Sequence, residues 1–133
     1  MTPHEEKKRV LVVDDDDYAR CALERALSSA GYEASSAASG GEALAILHAD
    51  PFDLMLVDDS LYDLRLEDLL QSLRSYEIQP LVVVLEAVPR MGAAARLVLL
   101  GASDVVGRWN SRRDIIESVR NCLESCALVR ARA

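Results

Sequence analysis

The chain has 133 residues, half of them hydrophobic, and carries 22 acidic against 15 basic side chains, which gives a net charge of −7. This length suits one domain, the apolar content excludes intrinsic disorder, and the acidic balance argues against nonspecific binding to nucleic acid. No apolar run approaches the roughly 20 residues that cross a bilayer, and the charged N-terminus lacks the apolar centre of a secretion signal, so we expect no membrane partner.

The cysteines and histidines do not form a recognisable metal or disulfide pattern. Cys21, Cys122 and Cys126 cannot all pair within one chain, and the spacing of the last two is not that of a zinc or redox motif. We expect three reduced, mostly buried thiols, which fits a cytoplasmic location. His4 and His48 are too few and too far apart for a metal site built on imidazole.

The first half of the chain alternates strand and helix patterns. An apolar, β-branched run at 10–13 predicts the first strand, and apolar residues at helical spacing over 19–30 predict the first helix, which Gly31 would end. A weaker strand pattern at 33–37 follows. The S-x-x-E sequence at 39–42 is a capping box that opens the second helix.

The alternation continues to the end of the chain. The later segments are predicted as strands at 54–57, 81–85 and 105–106 and as helices at 66–75 and 90–100. A last helix, with Ser111 as its N-cap, is predicted from an apolar stripe over 115–126. Five successive βα units predict an α/β domain with a five-stranded parallel sheet, doubly wound with helices on both faces. We expect a flexible tail at 1–8, the domain at 9–126 and a second tail at 127–133.

Charged residues follow four of the predicted strands. Asp14–Asp17 follow the first strand and Asp58–Ser60 the third, while Glu86 and Arg108 follow the fourth and fifth. In open parallel sheets the functional crevice lies beyond the carboxyl ends of the strands, so these residues should converge. Dense carboxylates without histidine or thiol favour Mg²⁺, and a carboxylate beside such a metal can act as a nucleophile toward phosphorus.

Several of these residues also fit simpler structural roles. Asp16 and Asp17 fit the N-cap and first turn of a helix, where the helix dipole favours acidic side chains. Asp59 is expected to point to solvent at the mouth of the crevice. For Arg108 the alternative is a surface salt bridge, which contributes little.

From residue 9 to 123 the chain resembles the receiver domain of bacterial two-component response regulators, including chemotaxis regulators. The resemblance depends on four stretches that occur in the right order and at the right intervals: Val10–Asp16, Ala38–Leu44, Asp53–Asp58 and Gly101–Asp104. It implies a flavodoxin-like fold with strand order 2-1-3-4-5.

The resemblance also implies a function and a set of site residues. Asp58 would accept a phosphoryl group from a histidine kinase or a phosphotransfer protein. Asp15 and Asp58 would bind Mg²⁺ directly, together with the main-chain carbonyl of Ser60, and Asp14 would bind it mainly through water. Output would pass to a partner protein or a second copy through the face formed by helix 4, strand 5 and helix 5.

The chain departs from the family at the positions that drive its switch. The family has Thr or Ser after strand 4, where counting back from Gly101 places Glu86 and counting forward from Pro80 places Leu85. Neither residue carries a hydroxyl. An ionised Glu86 would repel a phosphoryl group on Asp58.

The loop after strand 5 departs as well. Arg108 stands where the family has Lys, and Trp109 where it has a cis-proline, while both lysines of the chain, Lys7 and Lys8, lie near the N-terminus. We expect a resting ion pair between Glu86 and Arg108, because a guanidinium can bridge carboxylates. The bond to Trp109 should be trans, because cis peptides away from proline are rare.

Two functions therefore remain open. The first is a working single-domain response regulator, which is not an enzyme in its own right, and the second is a pseudo-receiver that acts as a phosphorylation-independent interaction module. A phosphohydrolase with its nucleophile after strand 1 is disfavoured, because Asp17-Tyr18 breaks its D-x-D-x-[TV] pattern and no Lys follows Lys8. Helix 4 is so apolar that Val98 or Leu99 should either contribute to an interface or complete the core.

Overall fold

The computed structural model describes residues 6–132, with side chains described as far as residue 126. The strands are β1 (Arg9–Val13), β2 (Glu33–Ala37), β3 (Leu54–Asp58), β4 (Leu81–Glu86) and β5 (Asp104–Gly107). The helices are α1 (Asp17–Ser29), α2 (Gly40–Ala49), α3 (Leu66–Leu73), α4 (Ala93–Leu99) and α5 (Arg112–Arg132). Most of the tail predicted at 1–8 lies outside the described residues.

All five strands are parallel, in the order β2-β1-β3-β4-β5, which confirms the predicted fold class and topology. Val13 pairs with Val57, and Asp58 with Leu85, so the carboxyl ends of the three central strands lie at one edge of the sheet. The charged residues that follow these strands are therefore brought to the same end of the molecule.

The central strands are buried on both faces because helices cover each side of the sheet. In β1, Val10 and Val12 belong to the core layer that includes α1 and α5, and Leu11 and Val13 to the layer that includes α2 and α3. Successive side chains of a strand point to opposite faces, so a continuous apolar run fills both layers. These layers hold the strand ends in place at the edge where the charged residues collect.

The helix starts follow their sequence signals, with one difference. The predicted N-caps are confirmed at Asp16, whose carboxylate accepts from the amides of residues 18 and 19, and at Ser39, whose hydroxyl accepts from Glu42 N at 3.1 Å. The fourth helix begins at Ala93 rather than at residue 90, because Gly92 precedes it with φ of 79° in the left-handed region.

The helix ends differ more from the expectation. The third helix ends at Leu73, two residues before the predicted end. The last helix continues to Arg132, through most of the segment predicted as a tail, since 127–132 consists largely of good helix formers. Within residues 6–132, no helix combines the length and apolar character needed to cross a membrane.

The prediction of buried cysteines is wrong for Cys21, which is exposed, while Cys122 and Cys126 are partly exposed. On α1 the buried side chains are Leu23 and Leu27. A residue two positions before Leu23 lies about 200° around a helix of 3.6 residues per turn, which turns Cys21 toward solvent.

Candidate functional site

Asp58 ends β3 and is the most buried acid at the carboxyl edge, with a side chain that is 0% exposed. Its Oδ1 atom accepts hydrogen bonds from Ser60 N at 2.8 Å and from Ser60 Oγ at 2.6 Å. Its Oδ2 atom accepts no hydrogen bond and lies 3.1 Å from Arg108 Nη1 in an ion-pair contact. One oxygen is thus fixed by the following turn, and the other faces a cation.

Asp14 follows β1 and is also buried, with 1% of its surface exposed. Its Oδ1 atom accepts from Asp16 N at 2.9 Å, whereas its Oδ2 atom has no hydrogen-bond partner. Burial raises the pKa of the Asp14 carboxyl above its usual value, and the charges of Asp58 and Asp15 add to this rise. Two neighbouring strands therefore each present a buried carboxylate oxygen that lacks a hydrogen bond.

Arg108 follows β5 and places its guanidinium among these acids. Its nitrogens lie 3.1 Å from Asp58 Oδ2, 3.8 Å from Asp14 Oδ1 and 3.9 Å from Asp16 Oδ2. Asp58 and Asp14 are buried, so these two contacts are not surface salt bridges, whereas the contact with the exposed Asp16 is one. The guanidinium offsets the negative charge that the strand ends gather.

The predicted ion pair between Glu86 and Arg108 is wrong, because no ion pair joins the two side chains within 4.0 Å. Their backbones do meet, since Arg108 N donates to Glu86 O at 2.9 Å. The guanidinium reaches across to Asp58 and Asp14, where two buried carboxylates attract it more strongly than one.

Glu86 ends β4 and is 9% exposed. It lines a cavity of about 280 Å³ between the loops that follow β3 and β4, together with Asp59 and Arg90. The register pairs Glu86 with Gly107, which confirms that it lies beside the residues that follow β5. No hydroxyl is present at this position of the sheet edge.

Asp59 is placed differently from the expectation that it points to solvent. It is partly buried, and its Oδ1 atom accepts a hydrogen bond from Ala87 N at 3.1 Å. Burial raises the pKa of the Asp59 carboxyl, and the neighbouring Asp58 raises it further, while the hydrogen bond from Ala87 opposes the rise. No pattern in the sequence signals this contact, because it joins two loops 28 residues apart.

The peptide bond that precedes Trp109 is trans, as predicted, because the described residues contain no cis peptide bond. The Trp109 ring lies against the backbone of Gly107, where an added Cβ would come within 2.7 Å of the indole carbons. The ring remains 60% exposed beside Arg108. The single tryptophan of the chain can therefore report on changes at this site.

The acids at the carboxyl edge fit a Mg²⁺ ion by their chemistry. The Oδ2 atoms of Asp14 and Asp58 are buried acceptors without hydrogen bonds, and all-oxygen donors suit this metal. Within the described residues, no group of three or more His, Cys, Asp or Glu side chains is arranged to hold a metal ion. A Mg²⁺ site with one or two carboxylates and several waters fits this arrangement, and Asp15 and Ser60 remain predicted ligands.

Comparison with known proteins identifies the protein family of this chain. Residues 10–120 match the family model of the response regulator receiver domain. A receiver domain protein (CheY-like) from Methanospirillum hungatei JF-1 has a similar solved structure, with a TM-score of 0.83, 26% identity and coverage of 90% of this chain and 96% of that one. The chain belongs to the response regulator receiver domain family, as its sequence predicts.

Two curated relatives add context for the family. A probable transcriptional regulator, ycf27, from Cyanophora paradoxa is 33% identical over 88% of this chain and 48% of its own length. The regulator of RpoS from Escherichia coli K12 is 32% identical over 74% of this chain and 29% of its own length. The chain thus spans half or less of the length of these curated relatives.

Proposed function

We propose that the chain accepts a phosphoryl group on Asp58 from a histidine kinase or phosphotransfer protein and signals by contact with another protein. The observation that carries the proposal is the state of Asp58 Oδ2, which is buried, accepts no hydrogen bond and lies 3.1 Å from a guanidinium nitrogen. A carboxylate oxygen in this state is available as a nucleophile and has a cation beside it for the incoming charge.

In the proposed transfer, Asp58 Oδ2 forms a P–O bond while the P–N bond of a donor phosphohistidine breaks. The electron pair of the broken bond stays on the imidazole nitrogen, which takes a proton from solvent. Ser60 holds the second oxygen of the acceptor and so orients the carboxylate. Arg108 can hold two phosphoryl oxygens at once through its planar fork.

The residues that would hold Mg²⁺ are Asp14, Asp15, Asp58 and the main-chain carbonyl of Ser60. When bound, the ion supplies positive charge that offsets the charge of the phosphoryl oxygens. The buried, unpartnered oxygens of Asp14 and Asp58 support this assignment. Arg108 would have to share these carboxylates with the ion, because it already contacts both.

The pseudo-receiver remains the second candidate, and two observations favour it. Neither Glu86 nor Leu85, the two residues that counting places at the family's switch position, carries a hydroxyl. Arg108 already contacts Asp58 and Asp14 in the resting protein and offsets part of their charge. A receiver fold with this edge could serve as an interaction module without phosphorylation.

The proposed output surface is the face of α4, β5 and α5. On α4, Val98 is 51% and Leu99 85% exposed, whereas Leu97 is buried, so the apolar surplus of this helix faces outward. Exposed apolar side chains of this kind suit contact with an output partner or a second copy. We propose a signalling module rather than an enzyme, and a cytoplasmic location stays a prediction.

The experiment that tests the proposal is incubation with Mg²⁺ and acetyl phosphate, followed by intact-mass measurement. The wild-type chain should gain the mass of one phosphoryl group, and Asp58→Asn should gain none. No gain under conditions that label an ordinary receiver domain would favour the pseudo-receiver. Asp17→Asn is the matched control, since Asp17 is exposed and pairs with Arg20 in the first helix.

A further inference from the structure

We infer that Asp59 is a positioning residue that transmits a change of charge at Asp58 to the loop between β4 and α4. This loop, residues 87–92, begins where Glu86 ends the strand and leads into α4. The inference rests on the proposed phosphorylation of Asp58, and it assigns a role to a side chain that has none in the transfer itself.

The contact between Asp59 and Ala87 ties the two loops together. Ala87 N donates to Asp59 Oδ1 at 3.1 Å. Within the described part of the chain, this is the one hydrogen bond that joins residues 87–92 to anything outside that loop and α4. The backbone of Asp59 is itself fixed, because its amide donates to Leu85 O at 3.0 Å.

The loop and the helix beyond it are otherwise lightly held. Val88 and Met91 expose their side chains to solvent, and of the seven residues of α4 only Leu97 is buried. One ion pair, from Arg96 to Glu67 at 3.3 Å, joins α4 to α3 and is exposed on the arginine side. A segment with so few buried contacts opens at low free-energy cost, so one hydrogen bond is a large part of what holds it.

The charge of Asp59 makes this hydrogen bond sensitive to Asp58. The two carboxylates belong to adjacent residues, and the Asp58 side chain is buried beside the loop that Asp59 holds. A phosphoryl group would bring a charge of about −1.5 to −2 to the same place. Arg108, 3.1 Å from Asp58 Oδ2, offsets part of this charge. The repulsion that remains acts over a short distance in a partly buried site, so it should drive the Asp59 carboxylate away from Ala87.

The hydrogen bond between Asp59 and Ala87 offers a way for phosphorylation to change the β4–α4 loop. Glu86 supplies no hydroxyl that could follow a phosphoryl group, so a response of the β4–α4 loop to phosphorylation would need another route. Release of Ala87 by Asp59 provides that route, because it frees the loop that carries Val88 and Met91 at the edge of α4.

The test is amide hydrogen exchange of Ala87, measured by NMR in the full chain before and after loading with Mg²⁺ and acetyl phosphate. In the unloaded protein, Asp59→Ala should speed exchange about tenfold or more, as expected for a lost hydrogen bond to a charged group, and Asp59→Asn should keep protection through its amide oxygen. Asp63→Asn, in the same loop but directed at α2, is the control and should leave Ala87 unchanged.

Phosphorylation of the protein distinguishes two roles for the hydrogen bond between Asp59 and Ala87: one that responds to the charge at Asp58, and one that is only structural. The wild-type chain should lose Ala87 protection on gaining the phosphoryl mass, and Asp59→Asn should gain the mass but retain protection, because the amide carries no charge. Mass gain in the wild type with unchanged exchange would overturn the inference alone, as would equal loss of protection in Asp59→Asn. No mass gain in the wild type would refute the proposed function, and with it the charge that this response requires.

Discussion

The residues at the carboxyl edge form a cluster of acids with one cation placed among them. Asp14 and Asp58 are both buried and both have an oxygen without a hydrogen bond. Arg108 contacts the two carboxylates at 3.8 and 3.1 Å and offsets part of their repulsion. The pKa of Asp14 stays raised despite this cation, so the net environment still disfavours its charge.

Neutralising Asp14 should therefore stabilise the protein in the absence of divalent ions. Asp14→Asn keeps an oxygen for the amide of Asp16 and removes the unfavourable charge, so we expect the free energy of unfolding to rise at pH 7. Urea unfolding with a chelator present measures the change. Asp17→Asn, at an exposed first-turn position, should give no gain, and a loss of stability in Asp14→Asn would contradict this account of the cluster.

At the scale of elements, two aspartates of the loop after β3 form hydrogen bonds with neighbouring segments of the chain. Asp59 holds the β4–α4 loop, and further along Asp63 accepts hydrogen bonds from Gly40 N at 3.0 Å and Gly41 N at 2.9 Å. Asp63 thus caps the first turn of α2 from another loop. These two amides lower the pKa of the Asp63 carboxyl, with the bond from Gly41 the larger effect.

Loss of the Asp63 cap should give a pH-dependent loss of stability. We expect Asp63→Ala to lower the free energy of unfolding by about 1 kcal/mol at pH 7, the usual value for a capping side chain. Because the folded-state pKa is lowered, this contribution is present above the unfolded value and is lost as the pH falls through the folded one.

Unfolding curves over a series of pH values test this dependence. The difference between the wild type and Asp63→Ala should shrink on acidification and disappear below the lowered pKa. A difference that stays constant with pH would mean that packing, rather than the charged cap, supplies the stability.

Helix α4 offers a second comparison at this scale, between its buried and exposed faces. Leu97→Ala should cost about 2–5 kcal/mol of unfolding free energy, because it leaves a cavity in the core. Leu99→Ala should change it by less than about 0.5 kcal/mol, since the side chain is 85% exposed. Thermal unfolding of both variants measures this, and similar losses in the two would place Leu99 in the core rather than on the output face.

The elements could be predicted from the sequence more completely than the contacts of the site. The strands and their common edge follow from the apolar runs, because hydrophobic periodicity records which face of each segment is buried. The strand order follows from the family resemblance alone. The partner of Arg108 and the hydrogen bond of Asp59 depend on side-chain directions across neighbouring strands, which periodicity does not record. The exposure of Cys21 does not follow from the sequence for a related reason, since a thiol is compatible with either face of α1.

At the scale of the whole molecule, the net charge of −7 is unevenly placed. The sheet topology brings the acids that follow β1, β3 and β4 to one edge, and there Arg108 contacts Asp58, Asp14 and Asp16. The family's lysine is absent from this edge, because both lysines precede β1. The fold therefore gathers acidic side chains at one edge of the sheet and places an arginine, rather than a lysine, among them.

The central claim is that Asp58 accepts the phosphoryl group at this altered edge. The most direct measurement is to incubate the chain with Mg²⁺ and acetyl phosphate, reduce the acyl phosphate with borohydride, and locate the resulting homoserine by peptide mass spectrometry. We predict conversion at residue 58 alone, and none in Asp58→Asn. Conversion at Asp14, Asp15 or Asp59, or no conversion at all under conditions that label an ordinary receiver domain, would contradict the account.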